Sequence, residues 1–116
     1  MPERKNLLLG VSGGIAAYKV CEIASYFTKK GVNVNVVMTE HAAEFVAPLT
    51  FEALTKNHVY TSLFDGKGPD PVAHVNLGRT ADAVLIAPAT ANIIAKIANG
   101  IADDMVSTTV LAANCK

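Results

Sequence analysis

The feature that most constrains the fold of this sequence is an apolar run that ends in small residues and leads straight into a helical pattern. It occurs twice: residues 6–11 (NLLLGV) are followed by SGG, and residues 82–89 (DAVLIAPA) by TAN. Short continuous apolar runs are typical of buried parallel strands. Each motif therefore predicts a strand, a tight turn and a helix, an arrangement that brings backbone N–H groups close to a ligand.

The other segments continue the alternation of strands and helices. Residues 32–38 (VNVNVVM) alternate β-branched and polar side chains, which predicts a further strand. Helices are predicted over residues 15–31, 40–46, 49–55, 91–99 and 103–113, with a short strand within 58–64 and a loop over 65–73. This order predicts an α/β fold of three layers, a parallel sheet with helices on both faces. The last predicted helix has an apolar face and no strand after it, so we expect the domain to continue beyond Lys116 with further strands.

Composition narrows the class of protein and its partners. The chain has 116 residues, is 51% hydrophobic and carries no net charge, which suits a single domain over residues 1–116. A neutral chain argues against nucleic acid or a membrane surface as partner, because both favour a basic face. Cys21 and Cys115 match neither a zinc-site spacing nor a disulfide scaffold. We therefore expect no metal site and a cytoplasmic protein.

Three loops follow the predicted strands: the first loop (residues 12–14), the second loop (residues 39–41) and the third loop (residues 88–92). The carboxyl ends of parallel strands share one edge of the sheet, so a single pocket can use all three loops. The glycines of the first loop either expose N–H groups to a phosphate or simply form a strand-to-helix turn. The segment is not GxGxxG and the second strand does not end in an acid, so a mononucleotide fits better than a dinucleotide.

Individual side chains near these loops each have two interpretations. Thr39 either stabilises the start of a helix or bonds a ligand hydroxyl or phosphate. Asn92 either stabilises its turn or bonds a donor and an acceptor on the edge of a planar ring. His74 is either a surface residue or an acid–base group that titrates near neutral pH. Lys96, like the lysines of the first helix, is expected on a solvated helix face.

Four segments are more specific together than any of them is alone: GVSGGIAAYK, VMTEHAAEFVAPLTFEAL, HVNL and APATANIIAKIANGIADDMVSTTVLAA. In this order they resemble the flavin-containing cysteine decarboxylase family over nearly the whole chain. The resemblance implies a Rossmann-like or flavodoxin-like fold that binds FMN, and it places the family's active-site histidine at His74. The cofactor contacts that it implies are Ser12, Gly13, Gly14, Ile15, Thr39, Thr90, Ala91, Asn92 and Ile93.

The resemblance also implies an activity, the FMN-dependent decarboxylation of 4′-phospho-N-pantothenoylcysteine to 4′-phosphopantetheine in coenzyme A biosynthesis. This carboxy-lyase reaction would begin with oxidation of the substrate's terminal cysteine, which creates an electron sink. Family segments that clamp and protonate the substrate would follow Lys116, so we expect weak or no turnover from residues 1–116 alone. A homotrimer or a dodecamer of trimers is implied. Two alternatives stay open: a flavin prenyltransferase and a non-catalytic FMN-binding regulatory subunit.

Overall fold

A sheet of three parallel strands forms the centre of the computed structural model, which describes residues 4–62 and 72–115. The strands, in the spatial order β2-β1-β3, are β1 (Asn6–Val11), β2 (Asn33–Met38) and β3 (Ala83–Ile86). Leu9 of β1 pairs with Val36 of β2 on one side and with Leu85 of β3 on the other. The chain thus leaves β1 toward one side and returns on the other, which creates a topological switch point between β1 and β3.

Helices cover both faces of this sheet. One face carries α1 (Ala17–Lys29), α2 (Ala42–Phe45) and α3 (Pro48–Thr55), and the other carries α4 (Ala73–Thr80), α5 (Ala91–Asn99) and α6 (Met105–Leu111). The predicted fold class, an α/β parallel sheet with helices on both faces, is therefore confirmed. The longest described helix, α1, has 13 residues, and no helix within the described ranges is long and apolar enough to cross a membrane.

Two apolar clusters hold the layers together. Side chains alternate along a strand, so Leu8 and Leu9 of β1 point to opposite faces. Leu9 packs with Phe51 in the cluster beneath α1, α2 and α3, and Leu8 packs with Ile93 and Val106 in the cluster beneath the other three helices. Full burial of one such side chain contributes about 1.5–3 kcal/mol. The two clusters therefore fix the loops that join the strands to the helices.

Element boundaries follow local chemistry and differ slightly from those predicted. The first helix begins at Ala17 instead of residue 15, and Ile15 stays 81% exposed outside it. The third strand is shorter than residues 82–89 and ends at Ile86, because Pro88 has no N–H to extend the ladder. The last helix begins at Met105 instead of the predicted residue 103, because Asp104 is its N-cap, and its first turn therefore contains no acid.

Helix α4 was not predicted from the sequence. Its sequence, AHVNLGRT, contains Asn and Gly, which are weak helix formers. Packing supplies the stability instead, because Ala73 and Gly78 are buried and α4 lies against α6. A Cβ at Gly78 would lie 2.8 Å from the carbonyl oxygen of Thr109, so only glycine lets the two helices approach this closely.

Two further predictions fall partly outside the described residues. The loop predicted over residues 65–73 is described only at Val72 and Ala73, and Ala73 already belongs to α4. The short strand predicted within residues 58–64 corresponds, in its described part, to a single parallel bridge between Tyr60 and Val37.

Candidate functional site

The three loops meet at the carboxyl edge of the sheet around a cavity of about 440 Å³. Six of the predicted site residues lie on its wall, and they come from all three loops and the start of α5: Ser12, Gly13, Thr39, Thr90, Asn92 and Ile93. The other four are not on this wall: Gly14, Ile15, Ala91 and His74. The expectation that the three loops share one pocket therefore agrees with the geometry.

Backbone N–H groups at the start of α1 are available to a ligand. The N-cap residue of α1, Ala16, makes no side-chain capping hydrogen bond. Within the described residues, the N–H groups of Gly13, Ile15 and Ala16 have no acceptor, whereas that of Gly14 donates to the carbonyl oxygen of Ser12 at 3.1 Å. Unpaired N–H groups together with the positive end of a helix dipole favour an anion such as phosphate.

Ser12 joins the first loop to the third loop. It is only 1% exposed. Its hydroxyl donates to the carbonyl oxygen of Pro88 and accepts the N–H of Thr90 at 3.1 Å. The N–H of Ser12 donates to the same carbonyl oxygen at 3.4 Å. The side chain that follows β1 is thus bonded directly to the segment that follows β3.

The second loop is fixed by Thr39. Its N–H donates to the carbonyl oxygen of Val11 at 3.0 Å, and its hydroxyl accepts the N–H of Ala42, the first residue of α2, at 3.1 Å. Thr39 therefore stabilises the start of a helix, which is one of its two predicted roles. The hydroxyl proton keeps no acceptor within the described residues, so Thr39 also has a donor for a ligand in the cavity.

Thr90 rather than Asn92 stabilises the start of α5. The Thr90 hydroxyl accepts the N–H of Ile93 at 3.2 Å, so that N–H is already paired. Ile93 is buried in the apolar cluster between α5 and α6. Asn92 is exposed on the cavity wall, and its side-chain amide forms no hydrogen bond in the described part of the chain. An unpaired amide that offers both donors and an acceptor is suited to the edge of a planar ring.

The prediction that Lys96 lies on a solvated helix face is wrong. Its ammonium lies 2.8 Å from a carboxylate oxygen of Asp103 and 2.9 Å from one of Asp104, and its side chain is 20% exposed. Hydrogen bonds to these two carboxylates raise the pKa of Lys96. Burial alone would raise the pKa of Asp104, but the donors of Ser107 and Lys96 outweigh it and lower that pKa. Lys96 therefore links α5 to the start of α6 on the cavity wall.

Sequence reasoning also missed much of the wall that faces the three loops. These residues either follow Tyr60, the bridge partner of β2, or lie at the start of α6, and they are Thr61, Ser62, Asp103, Asp104 and Met105. The two acids had a detectable signal, since they follow Lys96 after a chain reversal at Gly100, whose φ is +71°. The other three, Thr61, Ser62 and Met105, had no comparable signal in the sequence.

His74 lies near the cavity but not on its wall. It is half-buried in the first turn of α4. Because α4 leads directly into the amino end of β3, its own first turn lies at the carboxyl edge of the sheet, on the same side as the three loops. The preceding residue, Ala73, packs in the same apolar cluster as Ile93 and Met105, which line the cavity.

The fold and the site together define a class: an α/β protein whose ligand cavity lies at the switch point of a parallel sheet, beside unpaired N–H donors at a helix N-terminus. The sequence model of the Flavoprotein family matches residues 1–116. The chain belongs to the Flavoprotein family.

Comparison with individual proteins supports this membership. The chain is 52% identical over 113 residues to the coenzyme A biosynthesis bifunctional protein CoaBC of Bacillus subtilis, across 97% of this chain but 28% of that protein. It superposes on the FMN-dependent cysteine decarboxylase SpaF with a TM-score of 0.85 and 42% identity, covering 96% of this chain and 64% of that one. A PPC decarboxylase mutant complexed with pantothenoylaminoethenethiol gives a TM-score of 0.75 and 29% identity, over 97% and 62% of the two chains.

Proposed function

We propose that the cavity binds FMN, with the phosphate at the first loop and the ring system at the third loop. The residues present fit this group. Gly13, Ile15 and Ala16 offer unpaired N–H groups to phosphate oxygens, and α1 adds the positive end of its dipole. Asn92 offers an unpaired amide to the edge of the ring. Thr39, whose hydroxyl proton is also unpaired within the described residues, lines the same cavity.

One observation carries this proposal: Gly13, whose unpaired N–H at the start of α1 suits a phosphate, and Asn92, whose unpaired amide suits a planar ring, line the same cavity at the switch point. A dinucleotide would need an acid at the end of β2 to bond its ribose. β2 ends at Met38 and is followed by Thr39, and the first acid after it, Glu40, lies one residue further along. A flavin mononucleotide needs no such acid, so it matches the site better.

We further propose that the whole protein decarboxylates 4′-phospho-N-pantothenoylcysteine to 4′-phosphopantetheine in coenzyme A biosynthesis. Its relatives support this proposal, since one is named for coenzyme A biosynthesis, one is an FMN-dependent cysteine decarboxylase and one is a PPC decarboxylase. A cysteine carboxylate attached through an amide has no electron sink of its own. The chemistry that FMN supplies when bound is a reversible two-electron oxidation of that cysteine, which creates the sink.

The chain's own residues would bind and orient the reactants. Asn92 would orient the ring or the substrate carboxylate, because its amide is exposed on the wall and otherwise unpaired. His74 would move a proton to or from the substrate. Since His74 does not line the cavity of its own chain, we propose that it serves the cavity of a neighbouring subunit in a homotrimer or a dodecamer of trimers. We place the protein in the cytoplasm, because Cys21 and Cys115 are both unpaired.

The test uses the protein expressed from its full-length gene. The purified protein is examined for flavin absorbance, and turnover with phosphopantothenoylcysteine is followed by release of carbon dioxide and formation of 4′-phosphopantetheine. The proposal predicts both signals, and it predicts that a His74→Asn variant keeps the flavin but loses turnover.

Other outcomes favour the alternatives. Transfer of a dimethylallyl group from dimethylallyl phosphate to reduced FMN, without carbon dioxide release, would identify a flavin prenyltransferase. FMN binding with no turnover of either substrate would support the regulatory-subunit alternative. A protein that neither contains FMN nor can be reconstituted with it would contradict the proposal as a whole.

A further inference from the structure

We propose that Ser12 is a positioning residue, which aligns the third loop with the first, and that it does not bind the phosphate itself. The inference rests on the proposed function, because it concerns how the three loops hold FMN. Serine beside a glycine turn at a helix N-terminus is commonly taken as a phosphate ligand. Here the hydrogen bonds of the side chain indicate a different role.

The Ser12 hydroxyl has already used its only proton. That proton is donated to the carbonyl oxygen of Pro88, while one lone pair accepts the N–H of Thr90 at 3.1 Å. A serine hydroxyl has one donor and two acceptor positions, so only an acceptor remains. The oxygens of an ionised phosphate are also acceptors, and therefore cannot pair with what is left.

The partners of Ser12 show what it positions. Thr90 caps α5 by accepting the N–H of Ile93, and the first turn of that helix carries Asn92 on the cavity wall. The hydroxyl of Ser12 thus fixes the start of α5, and with it the amide proposed to face the ring. At 1% exposure, Ser12 makes these bonds away from solvent, where an unpaired N–H or carbonyl group is costly.

Removal of the Ser12 hydroxyl should therefore weaken binding of the flavin ring rather than binding of the phosphate. Without the Ser12 hydroxyl, the third loop would adopt its binding geometry for a smaller fraction of the time. The apparent affinity for the flavin falls in proportion to that fraction. The loss of two buried hydrogen bonds corresponds to a decrease of about five- to 150-fold. Because the ring is common to FMN and riboflavin, both ligands should lose affinity by the same factor.

The experiment compares FMN with riboflavin, which lacks the phosphate, by quenching of flavin fluorescence on titration into the apoprotein. The variants are Ser12→Ala and Ser12→Cys, whose thiol is a weaker donor. The control is Ser25→Ala, the same side-chain change more than two turns along α1. If Ser12→Ala fails to fold, the ratio of the FMN and riboflavin affinities in Ser12→Cys gives the same test.

We expect both Ser12 variants to lower the affinities for FMN and riboflavin equally, so that the ratio of the two affinities stays within about twofold of the wild-type ratio. The visible circular dichroism of the bound flavin should change as well. Ser25→Ala should match the wild type. If the Ser12 variants lose affinity for FMN alone, Ser12 is a phosphate ligand and the inference is overturned, while the proposed function stands. Unchanged affinities for both ligands would overturn it as well. If the wild-type protein binds neither flavin, the proposed function fails first.

Discussion

One added methyl group at Gly13 should disturb the site, whereas the same group at Gly14 should not. An ideal Cβ at Gly13 would lie 2.6 Å from the Cβ of His41 and 3.0 Å from its carbonyl carbon. Ordinary contact begins near 3.4 Å, so the second loop would have to move by about 0.8 Å. At Gly14 the nearest atom is the Cγ of Pro88, which lies at 3.4 Å.

The cost of Gly13→Ala follows from this overlap. Neither close atom can move out of the way by a change of rotamer, because one belongs to the backbone of His41 and the position of the other, its Cβ, is fixed by that backbone. Overpacking of this kind costs about 1–3 kcal/mol in the free energy of unfolding. The displaced second loop includes Thr39, so FMN affinity should fall as well. Urea unfolding and a flavin titration measure the two effects separately.

Gly14→Ala is the matched control for stability, with an expected change of no more than about 0.5 kcal/mol. The reasoning would be refuted if Gly13→Ala unfolded at the same urea concentration as Gly14→Ala. It would also be refuted if Gly13→Ala bound FMN as tightly as the wild type, since the contact between the first and second loops would then have no bearing on the site.

Three further predictions concern single residues. Asn92→Ala should reduce FMN affinity about tenfold yet change the free energy of unfolding by less than about 0.5 kcal/mol, because its amide is exposed and unpaired; a flavin titration and urea unfolding measure the two. The contribution of Asp104 to stability should be present above its ordinary pKa of 3.8 and disappear as the pH falls through its lower folded value, so wild type and Asp104→Asn should converge in urea unfolding curves at low pH. Gly78→Ala should lower the free energy of unfolding by about 1–3 kcal/mol, because its Cβ would press on the backbone of α6 at Thr109; an equally stable variant would show that α4 and α6 separate easily.

The sheet and the loop positions were predictable because they depend on local patterns. The apolar run of β1 and the alternation of β2 gave strands within one residue of those observed. Since parallel strands place their carboxyl ends together, the meeting of the three loops also followed from the order of elements. Boundaries near Ile15, Pro88 and Asp104 shifted, where turn and capping chemistry decides.

The missed parts depend on contacts between segments distant in sequence. Helix α4 forms because Gly78 packs against the backbone of α6, a fact that no propensity of its own sequence indicates. Lys96 was predicted on a solvated helix face because its partners, Asp103 and Asp104, lie outside its own helix, just before α6. The role of Ser12 depends on a bond to a residue 76 positions away. Such pairings are set by the tertiary fold and leave no periodic signal.

The central claim, that three loops at the carboxyl edge jointly hold FMN, is tested most directly by the crystal structure of the FMN-loaded protein. The account predicts the phosphate against the N–H groups of Gly13, Ile15 and Ala16, with the ring edge bonded to the amide of Asn92. An FMN molecule bound elsewhere, or bound in this cavity with its phosphate directed away from α1, would contradict it.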